Sequence, residues 1–554
     1  MAPAFITFEG IDGSGKSAVS VRLARHLRET GFRVTHVRET GAFRSPIPRA
    51  IRDLTRNPDS ARLSPEAELL LNCAREAQVL HEEVRPALTR GELVLTDRAL
   101  HSHLAAAAAR GLPPAEARPV ASFAAGGLWP DLIVLVDVDP DIARLRRRIR
   151  KIREMRYGSS SRKSLLGQAF IRRTRDGLRE MARTNPDRWR VLENSAPGLE
   201  AAVQEARALV APLLKLPADA RPRRAELPRI VPSEDAEGWI RAFFDYLEAL
   251  FSADPGLGTL LSAGIDDPRA DALREAAVRT DPDIAAWATT GLDTASAWAV
   301  RRAAAERMPG HAARSLLGLD GPEAWRMRRD LAPAAPAHVL HSLGGLTSAE
   351  AHALRGRLWD EDPDEALGSL KGLQDPAAWA FRHRAWGKKL TPALVESVEG
   401  LTDAASWELR AGMAEAHPVP VLRSLKGVDD PRAWALRRDL AGSAPRAVLA
   451  SLGGLDGADA TALREALRER CPDEVAASLA GLASFGAWRL RNELLAETPA
   501  GVLRSLATLE ADPLAALFAA RAIAAAPGSP RAARRFVNFQ RRRLATRGSI
   551  MAPS

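Results

Sequence analysis

Residues 5–17 read FITFEGIDGSGKS, which fits the pattern G-x-x-x-x-G-K-S from Gly10 to Ser17. Few stretches restrict a fold as strongly. The apolar run Ala4 to Phe8 reads as a buried strand, and Ser17 to Arg28 as an amphipathic helix, so the motif has the strand and helix it requires. A chance glycine-rich turn is the competing reading, and the order strand, loop, helix opposes it. Gly10, Gly13 and Gly15 permit a tight turn in which the N–H groups of Gly10, Ile11, Asp12, Gly13, Ser14, Gly15, Lys16 and Ser17 surround nucleotide phosphates at a helix N-terminus. Lys16 is placed to reach the β- and γ-phosphates of ATP, and the Ser17 hydroxyl to bind Mg²⁺.

A chain of 554 residues is too long for a single core, so at least two domains are expected. With only two cysteines, Cys73 and Cys471, no disulfide framework is on offer, and a reducing cytoplasm is the expected compartment. No apolar run reaches the ~18 residues a membrane helix needs, and the phosphate loop follows the first residue too closely for a signal peptide. The net charge of +10 is unevenly spread. Up to Ala225 the chain has 39 Lys and Arg against 26 Asp and Glu, and the rest has 40 against 43. The basic excess belongs to the part with the phosphate loop and is densest from Arg144 to Arg190, where phosphate handling or nucleic-acid binding would use it.

Beyond the first helix, strand patterns recur at Arg33–Val37, Leu93–Asp97, Asp131–Asp137 and near Arg190–Leu192. Helical patterns lie between them: Ile47–Thr55, Pro65–Arg90, an arginine-rich helix from Asp141, Leu165–Arg183 and a closing helix to Leu214. Alternation of this kind implies an α/β fold on a parallel sheet of about five strands, with ligands at the strand C-termini.

These segments resemble the thymidylate kinase family over residues 4–215. The carriers are FEGIDGSGKS, VRET at 37–40, LLLNCAREAQ at 69–78, RPALTRGELVLTDR at 85–98, WPDLIVLVDVDP at 129–140 and AFIRRTRDGLREMARTNPDRWRVLEN at 169–194. The resemblance implies transfer of the ATP γ-phosphoryl group to a nucleoside monophosphate, dTMP or a relative, with Mg²⁺. It assigns catalysis to Asp12, Lys16, Asp97 and Arg98, metal binding to Ser17 and Asp97, and the acceptor's phosphate to Arg98. Arg75 corresponds to the base-recognising arginine, and Arg38, Arg44 and Leu71 complete the acceptor candidates. Gly13 stands where one subclass carries a loop arginine, which shifts charge neutralisation to a lid. Arg148, Arg150, Arg153 and Arg156 are the lid candidates, with Arg153 and Arg156 taken as catalytic. His101 and His103 are weaker acid–base candidates, and Asp137 reads as structural. The family commonly dimerises through its kinase helices.

Several positions depart from the family pattern. Leu71 occupies the place of a stacking aromatic, Ala105-Ala106-Ala107 that of Ala-Tyr-Gln, and Leu178 that of a tyrosine. Thr40-Gly41-Ala42 replaces Pro-Gly-Gly, with Phe43 and Arg44 inserted. The phosphate-handling half is retained while the base-and-sugar half lacks its rings.

Residues 216–237 are rich in proline and charge and read as a linker. After one helix, Trp239–Phe251, the string S-L-x-G-L recurs, sometimes degraded, from Ser315, Ser342, Ser369, Ser397, Ser424, Ser451, Ser478 and Ser505, spaced by 27 residues with one step of 28. About ten units run from 261 to 531 within a repeat domain spanning 238–531, each with a tryptophan or its equivalent, an arginine three positions later and a proline before the next unit. Two short helices per unit, neither able to bury its apolar face alone, imply an α-solenoid, similar in style to HEAT-like repeats. The arginines at 274, 301, 328, 355, 382, 410, 437, 464 and 491 form a ladder. It is either structural, bonding turn carbonyls with stems on tryptophan, or a rail for phosphates or a carboxylate-rich partner. The slight acidity of this half argues against a nucleic-acid groove and favours a protein partner on the concave face. The basic tail, 532–554, either caps the array or is disordered.

Two functions follow from this organisation. One is a nucleoside-monophosphate kinase with a recruiting or regulatory solenoid; the alternative is a nucleotide-gated scaffold with little turnover.

Overall fold

The computed structural model describes residues 3–37, 43–155, 161–216, 226–386 and 391–551. The chain divides into two units, Met1–Arg148 with Ser160–Leu227, and Ile149–Ser159 with Pro228–Ser554.

In the first unit five parallel strands run in the order β2-β3-β1-β4-β5. They are β1 (Ala4–Glu9), β2 (Val34–Val37), β3 (Leu93–Asp97), β4 (Leu132–Asp137) and β5 (Trp189–Glu193). The central strands β1, β3 and β4 are buried along their whole length, as continuous apolar runs covered on both faces should be. On one face, α1 (Lys16–Glu29) and α9 (Leu199–Leu214) pack together through Val19, Leu23, Leu27, Val203, Ala206 and Val210. Between them in the chain come α2 (Pro46–Arg56), α3 (Pro65–Val79), α4 (Arg85–Thr89), α5 (Leu100–Ala109), α6 (Pro114–Ala125), α7 (Pro140–Arg153) and α8 (Gly167–Thr184). The expected helix over Pro65–Arg90 is interrupted by a π-helical turn at Leu80–Val84, followed by Pro86 early in α4. Proline lacks the N–H needed for an unbroken α ladder.

The second unit is all helical. It opens with Ala236–Ala253, capped by Asp235. Pairs of short helices follow from Pro255 to Ala524, most second helices beginning on proline, whose missing N–H costs nothing at a first turn. Second helices of successive repeats pack on one another while first helices do so less. The basic tail is a helix, Pro530–Met551, and it caps the array at both ends. It packs against Pro499–Ser505 of the last repeat and against Ala236–Ala253 and Pro255–Ser262 at the start. Arg534 donates to Ala263 O at 2.7 Å, Arg531 to Asp473 at 3.1 Å, and the Phe536 ring meets Trp239 edge-on. The array therefore closes on itself instead of ending in open caps.

The arginine ladder is structural. All nine guanidinium-bearing side chains are buried, which excludes the rail reading. Arg328 donates to Leu316 O (2.9 Å) and Leu319 O (2.7 Å) in the turn of its own repeat and to Ser342 Oγ (3.0 Å) and O (3.1 Å) in the next. Its guanidinium lies 4.8 Å from the centre of the Trp325 ring. Burial pushes it down to about 10, so it remains charged at neutral pH. The turn glycine, Gly318 in this repeat, has φ +83°, a conformation that side chains resist. Arg328→Leu strips three carbonyls of their donor, and we expect a loss of about 3 kcal/mol in urea unfolding of the repeat unit followed by tryptophan fluorescence.

Candidate active site

The loop 10–15 leaves the C-terminal end of β1 and enters α1, and two of its glycines are imposed by contact. A Cβ on Gly10 would stand 2.5 Å from Val136 O, and one on Gly13 2.4 Å from Ala143 O. Both residues have positive φ, 146° and 92°. The backbone of α7 thus leaves no room at position 13 for any side chain, an arginine included. Asn194, just beyond β5, donates to Ser14 O at 2.7 Å and braces the loop from the far side. Lys16 is buried, its Nζ 3.5 Å from Ile11 O and 3.9 Å from Asp12.

Two contacts join this loop to the end of β3. Ser17 Oγ donates to Asp97 at 2.5 Å. Arg98 forms an ion pair with Asp12 and donates to Gly10 O and Ser102 Oγ, each at 2.8 Å. Arg98 has φ +80°, a strained conformation for a side chain this large, at the junction of the two loops. Burial opposes ionisation of Asp12, but Arg98 and Lys16 outweigh it and hold the carboxyl well below its usual range.

Beneath this junction lies Glu9, fully buried. It accepts hydrogen bonds from Ala99 N (2.9 Å), Ser102 N (3.3 Å) and Ser102 Oγ. Burial raises its carboxyl to about 7, and the bond from Ser102 and the charge of Arg98 only partly offset this.

A cleft opens beside Asp12 and Arg98. Arg75, Asn72 and Ala106 line it, together with Lys163 and the Phe170 ring. Arg75 donates to Glu76 (2.8 Å) and to His103 Nε2 (2.7 Å). Burial lowers His103 to about 4, which makes it a neutral acceptor there. Against the cost of burial, the charge of Arg75 holds Glu76 at about 2. His101 is likewise pushed to about 4 by burial and packs between Trp129 and Trp189. Both histidines are therefore packing groups with no charge to exchange near neutral pH.

Other expected residues lie elsewhere. Leu71 is half-buried and does not line the cleft; Asn72 and Arg75, three apart on α3, are the residues turned toward it. Leu178 is buried in the core with Ala105, Ile133 and Leu135. Arg44 is exposed, whereas the adjacent Phe43 turns inward with Arg75 5.6 Å from its ring centre. Arg38 and Arg156 lie outside the described residues. Arg153 belongs to the segment grouped with the second unit, where its guanidinium pairs with Asp281 and, at 3.6 Å, with Asp283. Among the α7 arginines it is Arg147 that donates to Asp12 O, and Arg146 to Asn194 O at 2.8 Å. Asp137 is structural as expected, bonded by Arg175 (2.6 Å) and Arg179 (3.1 Å).

Glu9, Ser102, Asn194, Arg147, Lys163 and Phe170 were not singled out by sequence reasoning. A signal existed for Asn194 alone, a polar residue at the C-terminal end of a parallel strand. The others depend on tertiary neighbours.

Residues 8–206 match the family model described as Thymidylate kinase. A thymidylate kinase of Nitratidesulfovibrio vulgaris (strain DP4) is 39% identical over 190 residues, 34% of this chain and 84% of that protein. The enzyme of that name from Oleidesulfovibrio alaskensis is 37% identical, covering 35% of this chain and 90% of its own length. That from Deinococcus radiodurans is 38% identical, covering 35% and 89%.

Because the folded chain retains a proton on Glu9 that the unfolded chain releases, stability falls as pH rises from about 4.5 to 7. Glu9→Gln cannot lose that proton. Its stability relative to the wild type should rise by about 3 kcal/mol between pH 5 and pH 8 in denaturant titrations, and a constant difference would remove the charge-based account of this site.

Proposed function

Since the chain belongs to the thymidylate kinase family through its first unit, we propose that it transfers the γ-phosphoryl group of ATP to the phosphate of a nucleoside monophosphate, with dTMP or a near relative as acceptor. The observation that carries this reading is the pair of links Ser17–Asp97 and Asp12–Arg98, which bring the phosphate loop and the β3 terminus together beside a cleft lined by cations.

The roles follow from charge and position. The loop N–H groups and Lys16 hold the β- and γ-phosphates at the N-terminus of α1. Ser17 and Asp97 are adjacent hard oxygen donors, one neutral and one anionic, and that set fits Mg²⁺, which keeps most of its other positions for phosphate oxygens and water. Bound there, the metal would neutralise charge on the phosphates. Arg98 offers a planar fork to the acceptor's phosphate, and its bonds to Asp12, Gly10 and Ser102 set where the fork lies. Arg75, fixed by Glu76 and His103, faces the base, with Phe170 supplying an aromatic surface in place of the ring absent at Leu71. The closed repeat array would recruit a protein partner or regulate the kinase unit, consistent with a stacked-helix surface that carries no excess positive charge.

A second reading, a nucleotide-gated scaffold with little turnover, is favoured by one observation. Arg153, the expected lid arginine, is engaged by Asp281 and Asp283.

ADP release from Mg·ATP measured against a panel of nucleoside monophosphates separates the two. The kinase reading expects turnover with dTMP or a related nucleotide, abolished in Lys16→Ala and reduced by about 10²-fold or more in Asp97→Asn. Intact ATP binding without turnover on any acceptor would replace it with the scaffold.

A further inference from the structure

Five cationic side chains line the cleft, Arg52, Arg56, Arg75, Arg98 and Lys163, against the single carboxylate of Asp12. Arg75 and Arg98 are already bonded to protein acceptors. Lys163 differs from both: among the described residues its ammonium makes no hydrogen bond and no ion pair. Its position is nonetheless built with care. It stands on a short 3-10 helix, Arg162–Leu166, anchored by its immediate neighbour Arg162. Arg162 is fully buried, donates to Thr55 O at the end of α2 (3.0 Å) and pairs with Glu68 of α3. Arg110, the residue that ends α5, holds the same carboxylate at 2.6 Å. Three helices thus fix the backbone that carries Lys163 into the cleft.

A cation largely withdrawn from water is costly when no anion bonds it directly, and Asp12 and Glu68 act on Lys163 only at a distance, so the site suits an anion that arrives from outside. Building on the kinase reading above, we propose that Lys163 seats the acceptor's phosphate together with Arg98 and offsets its repulsion from the incoming γ-phosphoryl group. In the transfer an oxygen of the acceptor's phosphate forms a bond to the γ-phosphorus as the bond from that phosphorus to the β-bridging oxygen breaks. The electron pair leaves with ADP, and a nucleoside diphosphate forms without net proton uptake. Both reacting groups are anionic throughout, so a fixed point charge between them lowers the barrier by electrostatics alone. Three rotatable N–H donors allow the ammonium to bond oxygens of both groups.

Asp12 and Glu68 face Lys163 as anions, Arg98 and Arg56 as cations, with Arg52, Arg75 and the neutral His103 also in the cleft. Burial is the largest influence and pushes the ammonium down to about 8, with Glu68 and Asp12 opposing and Arg98 and Arg56 adding to the shift. The free enzyme therefore loses this charge as pH rises through about 8. Arginine at the same place would keep it.

The test uses the full-length protein with dTMP and Mg·ATP. Lys163→Met should lower kcat/KM for dTMP by about 100-fold while ATP affinity, read by calorimetry, stays within about twofold. Lys163→Arg should recover most of the loss and shift the alkaline fall of kcat/KM to higher pH, a change that a merely structural lysine would not produce. A Met variant within about threefold of the wild type, or an Arg variant whose alkaline fall stays near pH 8, overturns the proposal. Calorimetric binding of dTMP, which needs no turnover, keeps the proposal separate from the kinase reading. If the wild type binds dTMP but releases no ADP, a tenfold weaker Met variant still supports the seat, and equal binding overturns it. A wild type that neither binds nor phosphorylates dTMP overturns both.

Discussion

The ion pair between Asp12 and Arg98 is the contact on which the first unit's site depends. It joins the loop after β1 to the loop after β3, two segments that meet only because those strands are neighbours in the sheet. Ser17 and Asp97 add a second link, five residues beyond Asp12 in one segment and one before Arg98 in the other. Together they leave the phosphate loop little freedom, and Arg98 keeps an unfavourable φ because Asp12, Gly10 and Ser102 hold its guanidinium. Strain of this kind, of order 1 to 3 kcal/mol, persists where the surroundings define the position several times over.

Below that junction the charges are layered. Glu9 sits beneath Arg98 in a site so dry that its carboxyl rises to about 7, whereas Asp12, at the cleft, stays ionised beside Arg98 and Lys16. Two carboxylates three residues apart are driven in opposite directions by burial and by neighbouring cations. Glu9 acts as a hydrogen-bonding post for Ala99 and Ser102, and Ser102 in turn positions Arg98. The site's electrostatics are thus set from inside the fold as much as from the cleft.

In the second unit a single repeated device replaces the sheet. Each ladder arginine closes the turn of its own repeat and, from Arg301 onward, reaches the serine of the next, so the bond that shapes one hairpin also couples it to its neighbour. A buried guanidinium is tolerated because turn carbonyls satisfy much of its hydrogen-bonding capacity and a tryptophan face covers it. The terminal helix then joins the last repeat to the first, which removes the exposed ends that an open array must protect.

Local chemistry determined a large part of this protein. The glycine pattern before Lys16, the apolar runs of the strands and the 27-residue period each specify their structure through backbone freedom or through spacing along the chain, and all of them appear where the sequence implies. Only tertiary packing decided the rest. Nothing in the segment SRKS at 161–164 distinguishes Lys163 from its basic neighbours until Arg162 is tied to Glu68 and Thr55 and the next side chain is turned into the cleft. Arg147 and not Arg153 reaches Asp12 because successive arginines on α7 point in different directions, and Arg153 is held by Asp281. Phe43 and Phe170, not Leu71, bring rings toward Arg75 and the cleft. Which cations meet an anion, and which arginines are buried, is set by neighbours distant in sequence, and spacing along the chain carries no record of them.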